Sequence, residues 1–307
     1  MFGEVMGSMR SNALIRYGGT FSMSLSGSES NVAIGLARLG HRSAWAGRLG
    51  ADDIGSFALR TMRGEGVDTR HVAIDRERQT GIMLIENRVA EISRVAYYRA
   101  GSAGSALSTV DLRGLLADSP RVLHITGITP ALSASAAAAT EWAIDAARQA
   151  GILVSFDVNH RSALWTREAA SSVLSRIARR ADIVFASGDE LSLIAPGAPR
   201  RAAASLIAAG VGEVVSKRAG QGAVAWRGDD QFSVPARRVR VIDTIGAGDA
   251  FTAGYLSAWL DGLDIGRRLA RGAILGAFAV SGAGDWTHLP TRDELSLLDI
   301  ADGSTTR

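Results

Sequence analysis

The sequence predicts an α/β protein: a mostly parallel sheet with helices on both faces, carrying a small β-sheet as a lid. Three observations carry this reading. Short apolar runs alternate with alanine-rich helical stretches through residues 121–217, the pattern of strands buried on both faces between crossover helices. Strand-like segments at 17–25, 80–85 and 91–99 interrupt that rhythm. Finally, 47% of the 307 residues are hydrophobic and 21% charged, enough for a large core and far from a disordered composition.

From the N-terminus, 17–25 alternates loosely and reads as a strand. A helix is expected at 31–39, a strand at 43–47 and a helix at 53–65. The segments 80–85 and 91–99 read as strands joined by a polar turn near Asn87. The lid is expected from about 14–26 and 70–100, either as a separate flap or as edge strands of the main sheet. Next come a strand at 121–125, a helix at 133–150 ending at Gly151, a strand at 152–157 and a helix at 167–179. A strand at 182–186 is followed by a short helix at 188–195, stopped by Pro196. A helix at 200–209 is stopped by Gly210, and 213–217 is a strand. The chain reads as a single domain over 1–307, with a polar, frayed tail at 300–307.

Composition narrows the function. There is no cysteine, which excludes disulfides, a cysteine nucleophile and thiolate metal sites. The five histidines show no metal spacing. A formal charge of +3 is no nucleic-acid signature. No run approaches the roughly 20 apolar residues of a membrane span, and residues 1–16 carry no secretory pattern, so a cytoplasmic protein is expected. Lys217 is the single lysine among 34 basic residues, which singles it out.

The strongest signal is Asp243-Thr244-Ile245-Gly246-Ala247-Gly248-Asp249, followed by an alanine-rich helix to about Asp261. Small residues at Gly246, Ala247 and Gly248 let backbone N–H groups converge, and the helix N-terminus adds partial positive charge: an anion cradle. Asp249 stands beside it. Either it caps the helix, or it takes a proton from an attacking hydroxyl.

This string resembles the signature of the ribokinase-like (PfkB-type) carbohydrate kinases. The second family signature resembles Ser26-Gly27-Ser28-Glu29-Ser30-Asn31-Val32-Ala33, running on to Gly47-Arg48-Leu49-Gly50. The resemblance covers nearly the whole chain. It implies a Rossmann-like domain with a β-sheet lid, ATP with Mg²⁺, and phosphorylation of a sugar hydroxyl. Asp249 would be the base, and the amides of Gly246, Ala247 and Gly248 would stabilise the transferred phosphoryl group. Nucleotide contacts are implied for Ser187, Lys217, Gly220, Gly222, Gly246 and Gly248, and Glu190 would orient Mg²⁺ through water. Where the family has Asn-x-x-Glu, this chain has Ser187-Gly188-Asp189-Glu190. Its Lys217-Arg218-Ala219-Gly220-Gln221-Gly222 is one residue shorter than the family's stretch. In the family a Gly-Glu pair ends the first strand; here Gly3-Glu4 follows only Met1-Phe2. That strand is therefore expected to be nearly absent, or the start to lie upstream.

Three further strings resemble those of the 2-keto-3-deoxygluconate kinases, a branch of the family. They are Tyr97-Tyr98-Arg99-Ala100-Gly101, Thr126-Gly127-Ile128-Thr129-Pro130 and Asp157-Val158-Asn159-His160-Arg161. Two guanidinium groups, Arg99 and Arg161, converging on one pocket would suit a carboxylate. Gly27, Asn31, Tyr97, Arg99, Ile128, Arg161 and Asp285 are the implied sugar contacts, with Trp286 near them. The expected reaction is transfer of phosphate from ATP to the terminal (C6) hydroxyl of the keto-deoxy acid. The alternatives are another sugar or nucleoside as acceptor, or a non-catalytic sensing protein on the same fold. The partners are a sugar acid and ATP, with no nucleic acid and no membrane; a homo-oligomer is expected.

Overall fold

The computed structural model describes residues 1–89 and 92–299. In chain order the N-terminal half contains β1 (Met6–Ser11), β2 (Phe21–Ser26), α1 (Ser28–Arg38), β3 (Gly47–Gly50), α2 (Asp53–Gly64), β4 (Val72–Asp75), β5 (Ile82–Val89), β6 (Ile92–Tyr98) and α3 (Thr109–Ala117). It continues with β7 (Val122–Thr126), α4 (Thr129–Leu132), α5 (Ala134–Gln149), β8 (Leu153–Asp157), α6 (Arg167–Ala178), β9 (Ile183–Ser187), α7 (Gly188–Ile194), α8 (Pro199–Ala208) and β10 (Glu213–Lys217). The last elements are β11 (Ala223–Arg227), β12 (Asp230–Val234), α9 (Ala247–Leu260) and α10 (Ile265–Val280).

The main sheet has the order β12-β11-β10-β9-β8-β7. β7 to β10 run parallel, and β11 and β12 are antiparallel additions. Two apolar layers sandwich it. One contains Phe156, Val184, Ala143 and Leu174, the other Phe185, Val215, Tyr255 and Leu275. The parallel order puts the ends of β8, β9 and β10 side by side, where ligands of open α/β sheets bind. Helices α1 and α9 pack closely because Gly35 lies against Ala253, where a side-chain carbon would meet the alanine methyl at 2.7 Å.

The lid is a separate sheet of order β2-β1-β5-β6. Its boundaries differ from those read in the sequence. Residues 15–17 form a 3₁₀ turn, and the strand begins at Phe21. β1 was unforeseen, because Met6-Gly7-Ser8-Met9-Arg10-Ser11 lacks β-branched and aromatic residues. Pairing supplies what propensity does not: β1 is bonded to β2 on one side and β5 on the other. β4, at 72–75, belongs to no lid; it pairs in parallel with β3. The strand expected at 43–47 is displaced to β3, leaving only bridges at Ala44 and Ala46. Phe2 makes one parallel bridge to Ala46 in place of a full first strand. Ser133 caps α5, so the helix expected at 133–150 is preceded by the short α4. Asn87, where the polar turn was expected, lies within β5, which runs on to Val89; residues 90–91 and 300–307 lie outside the described residues.

Candidate active site

The ends of β8, β9 and β10, the first turns of α1 and α9, and the inner face of the lid enclose a cavity of about 1020 Å³. Asp249 stands on its wall in the first turn of α9. One carboxylate oxygen accepts from Ser28 Oγ at 2.7 Å and the other from Asn31 Nδ2 at 2.8 Å. Asn159 reaches the same cluster, donating to Ser28 Oγ at 2.6 Å. Asn159 has φ of 41°, in the left-handed region that asparagine tolerates better than most residues. Burial pushes the Asp249 carboxyl above its usual range, against the pull of the Ser28 and Asn31 hydrogen bonds. Ser28 and Asn31 hold it from outside its own helix, so Asp249 does more than cap α9.

Gly246 precedes α9 with φ of 78°. A side chain there would strike the Asp285 carbonyl oxygen at 2.0 Å, so both the conformation and the space require glycine. The amides of Gly246 and Gly248 have no acceptor among the described residues, whereas the Ala247 amide turns to Thr244 O at 3.4 Å. Two of the three expected cradle amides are thus open. Asp243 braces the loop, accepting from the amides of Ile245 and Gly284 and from Arg10 of the lid.

At the strand ends, Lys217 donates to Asp157 Oδ2 at 2.5 Å, and Thr252 donates to the same oxygen at 3.1 Å. Ser187, Gly220 and Gly222 line the same cavity. Glu190 also lines it, but its two oxygens accept from the amides of His160 and Ser187, each at 2.8 Å. The carboxylate closes a capping box at the start of α7.

Gly27, Asn31, Tyr97, Arg99, Ile128, Arg161 and Asp285 all border the cavity. The two arginines are not equivalent there. Arg99 is buried and ion-paired with Glu4 at 2.5 Å, and it lies 5.3 Å from the Tyr97 ring centre. Glu4 is buried too, and accepts from Ser102 at 3.0 Å. Burial pushes its carboxyl up, while Arg99 and then Ser102 pull it down. Arg161 has no acidic partner among the described residues and donates only to the His160 carbonyl. The expected pair of open guanidinium groups is therefore one open and one neutralised from within, by a residue 95 positions away in the chain.

Asp285 accepts from Ser26, and burial pushes its pKa up to about 6. Trp286 is not among the residues lining the cavity and packs in the core, with Arg38 5.4 Å from its ring centre. Sequence reasoning passed over Ser28, Asn159, Asp157 and Glu4. All four lie inside strings it had quoted, and for the first three a position at or just past a strand or helix end was the available signal. It also passed over Glu29, a buried carboxyl that accepts from Thr126 at 2.7 Å and Thr129 at 2.9 Å and that burial lifts to about 7.

A held carboxylate beside open helix-start amides, at the strand ends of an α/β sheet, defines an enzyme that moves a phosphoryl group to a hydroxyl. The chain belongs to the pfkB family of carbohydrate kinases, whose family model matches residues 2–292. It is 37% identical over 304 residues to a 2-dehydro-3-deoxygluconokinase of Bacillus subtilis, covering 96% of this chain and 93% of that one. A 2-dehydro-3-deoxygluconokinase of Thermoproteus tenax is 34% identical, covering 91% and 86%. The crystal structure of a PfkB protein from Polaromonas superposes with a TM-score of 0.87 at 36% identity, covering 96% and 97%. No helix among the described residues is long and apolar enough to cross a membrane.

Proposed function

We propose that this carbohydrate kinase transfers the γ-phosphoryl group of ATP to the terminal (C6) hydroxyl of 2-keto-3-deoxygluconate, giving the 6-phosphate and ADP. The observation that carries the reading is Arg161, a guanidinium without an acidic partner among the described residues, in one cavity with the held carboxylate of Asp249. A sugar acid offers Arg161 an anion and Asp249 a hydroxyl. A neutral sugar offers only the hydroxyl. The name shared by the Bacillus and Thermoproteus relatives supports the same acceptor.

Asp249 accepts the hydroxyl proton, and its hydrogen bonds with Ser28 and Asn31 aim it while that proton arrives. The open amides of Gly246 and Gly248 face the negative charge of the phosphoryl oxygens. In this reading Asp285 and Asn31, which line the cavity, hydrogen-bond sugar hydroxyls, and Tyr97 covers the ring. Arg99, already paired with Glu4, stiffens the lid base.

The residues fit Mg²⁺ as an ion carried on the nucleotide. Among the described residues no three His, Asp or Glu side chains form a ligand group, and Mg²⁺ commonly binds substrate phosphates with only one or two carboxylates. Asp157, whose Oδ1 is buried without a hydrogen-bond partner among the described residues, and Glu190 would hold it through water. When bound it neutralises charge on the phosphate oxygens.

A coupled assay of ADP release across 2-keto-3-deoxygluconate, fructose, ribose and a nucleoside tests the assignment. The keto acid is expected to give the highest kcat/KM. A preference for any neutral acceptor refutes the substrate and leaves the kinase class standing.

A further inference from the structure

The single lysine of the sequence stands at the end of β10 and lines the cavity. Its ammonium is fixed by Asp157 Oδ2, and Thr252 donates to that same oxygen. A side-chain carbon at position 248 would lie 3.3 Å from Lys217 Nζ. The ammonium therefore rests against the first turn of α9, beside the open amide of Gly248 and within the field of Asp249 and Glu190. Paired with the Asp157 carboxylate, the ammonium is held as a charged, hydrogen-bonded group at the cavity wall. An ammonium has three donors. Asp157 takes one and leaves two beside the cradle.

Arginine holds nearly every other cationic position in this chain, including Arg237 and Arg238 on the wall of the same cavity. A guanidinium is a broad planar fork, whereas an ammonium is a compact point charge on a stem that can follow a moving group.

We propose that Lys217 is a catalytic residue that holds the oxygens of the phosphoryl group during transfer, with Asp157 and Thr252 as positioning residues. The acceptor hydroxyl oxygen bonds to the γ-phosphorus. The bond from that phosphorus to the β–γ bridging oxygen breaks, and ADP departs with the electron pair. The hydroxyl proton goes to Asp249, and Lys217 keeps its own. This rests on the kinase reading above, and goes beyond it by giving the lone lysine a task in the transition state rather than in holding ADP.

A chain with one lysine permits a direct test. Lysine labelled with ¹³C at Cε gives a single resonance from the intact protein. It should shift at least three times further with the β,γ-imido analogue of ATP plus Mg²⁺ than with ADP plus Mg²⁺; equal shifts, or none, overturn the proposal. Lys217→Met should lower kcat at least a hundredfold while ADP affinity, by calorimetry, stays within threefold. Lys217→Arg should recover at least tenfold over Met. Asp157→Asn should lower kcat about tenfold and move the lysine resonance of the free protein. A Lys217→Met kcat within threefold of wild type, or a loss of ADP affinity beyond tenfold, contradicts the role. Should Lys217→Met not fold, Asp157→Asn/Lys217→Met removes both charges, and the same two thresholds apply to it. The kinase reading fails separately, if wild type turns over no sugar with ATP.

Discussion

The strand-end floor of the cavity and the lid above it are built to different tolerances. On the floor three carboxylates are each held by two partners. Asp249 is gripped by Ser28 and Asn31, Asp157 by Lys217 and Thr252, and Glu190 by two backbone amides. The lid holds on by less. A small apolar cluster of Met6, Met83 and Ile85 lies under it, Arg10 ties it to Asp243, and Tyr97 is 36% exposed. A preorganised floor suits chemistry, where sub-ångström placement sets the rate. A lightly tied lid suits admission and selection of the sugar. The floor should therefore answer to mutation in kcat, and the sugar side in KM.

The largest expected effect is on the floor. Asp249→Asn should lower kcat at least a hundredfold, the lower end for removing a general base, with ATP binding retained. Activity within a few-fold of wild type would break the assignment. Because burial raises the Asp249 pKa above 3.8, the base is disarmed as pH falls through that raised value. The acid limb of the kcat profile should therefore lie above the ordinary aspartate range and be measurable by initial rates from pH 4 upward.

Next in size is the carboxylate contact. Arg161→Ala should raise KM for the keto acid by roughly ten- to a hundredfold, corresponding to about 1.5–3 kcal/mol for a hydrogen bond to a charged group. Breaking the lid tie is smaller. Arg10→Ala removes a half-buried ion pair worth about 0.5–1.5 kcal/mol, so sugar KM should rise two- to tenfold with kcat nearly unchanged. A kcat loss matching that of Asp249→Asn would erase the distinction between floor and lid.

A separate effect, with no expected change in the division between floor and lid, is on stability. The pKa of Asp285 is raised from 3.8 to about 6 by burial. An acid raised in the folded state favours folding below its unfolded pKa, and that contribution is lost as pH rises through the folded value. A shift of about two units sets an upper bound of roughly 3 kcal/mol. Asp285→Asn should therefore gain stability over wild type on going from pH 4 to pH 8 in urea melts. A difference that does not change with pH would show that Asp285 is not strained by burial.

Much of the floor was legible in the sequence because its chemistry is contiguous. The cradle and Asp249 lie in one seven-residue string, and Lys217 and Glu190 stand where apolar runs end. The strand–helix alternation through 121–217 gave the parallel sheet for the same reason. What stayed hidden was set by pairing across distance. Nothing local to Arg99 announces Glu4, and nothing in Ser28 or Asn159 announces Asp249 until α1, β8 and α9 meet. β1 was missed because its methionines and serines are poor strand formers, and two neighbouring strands hold it in place. Trp286 was placed near the sugar by the resemblance of Gly284-Asp285-Trp286 to a family segment, but it packs in the core cluster while Asp285 lines the cavity.

The division of labour is tested most directly by measuring kcat and KM for 2-keto-3-deoxygluconate and for its neutral analogue, with the carboxylate replaced by a primary alcohol, in wild type, Asp249→Asn and Arg161→Ala. Asp249→Asn should cut kcat for both sugars by the same factor, leaving their ratio unchanged. Arg161→Ala should lower the acid-to-neutral ratio of kcat/KM by roughly ten- to a hundredfold. If Arg161→Ala leaves that ratio where it was, or if Asp249→Asn changes it as much, the carboxylate is not what Arg161 reads and the account of this site is wrong.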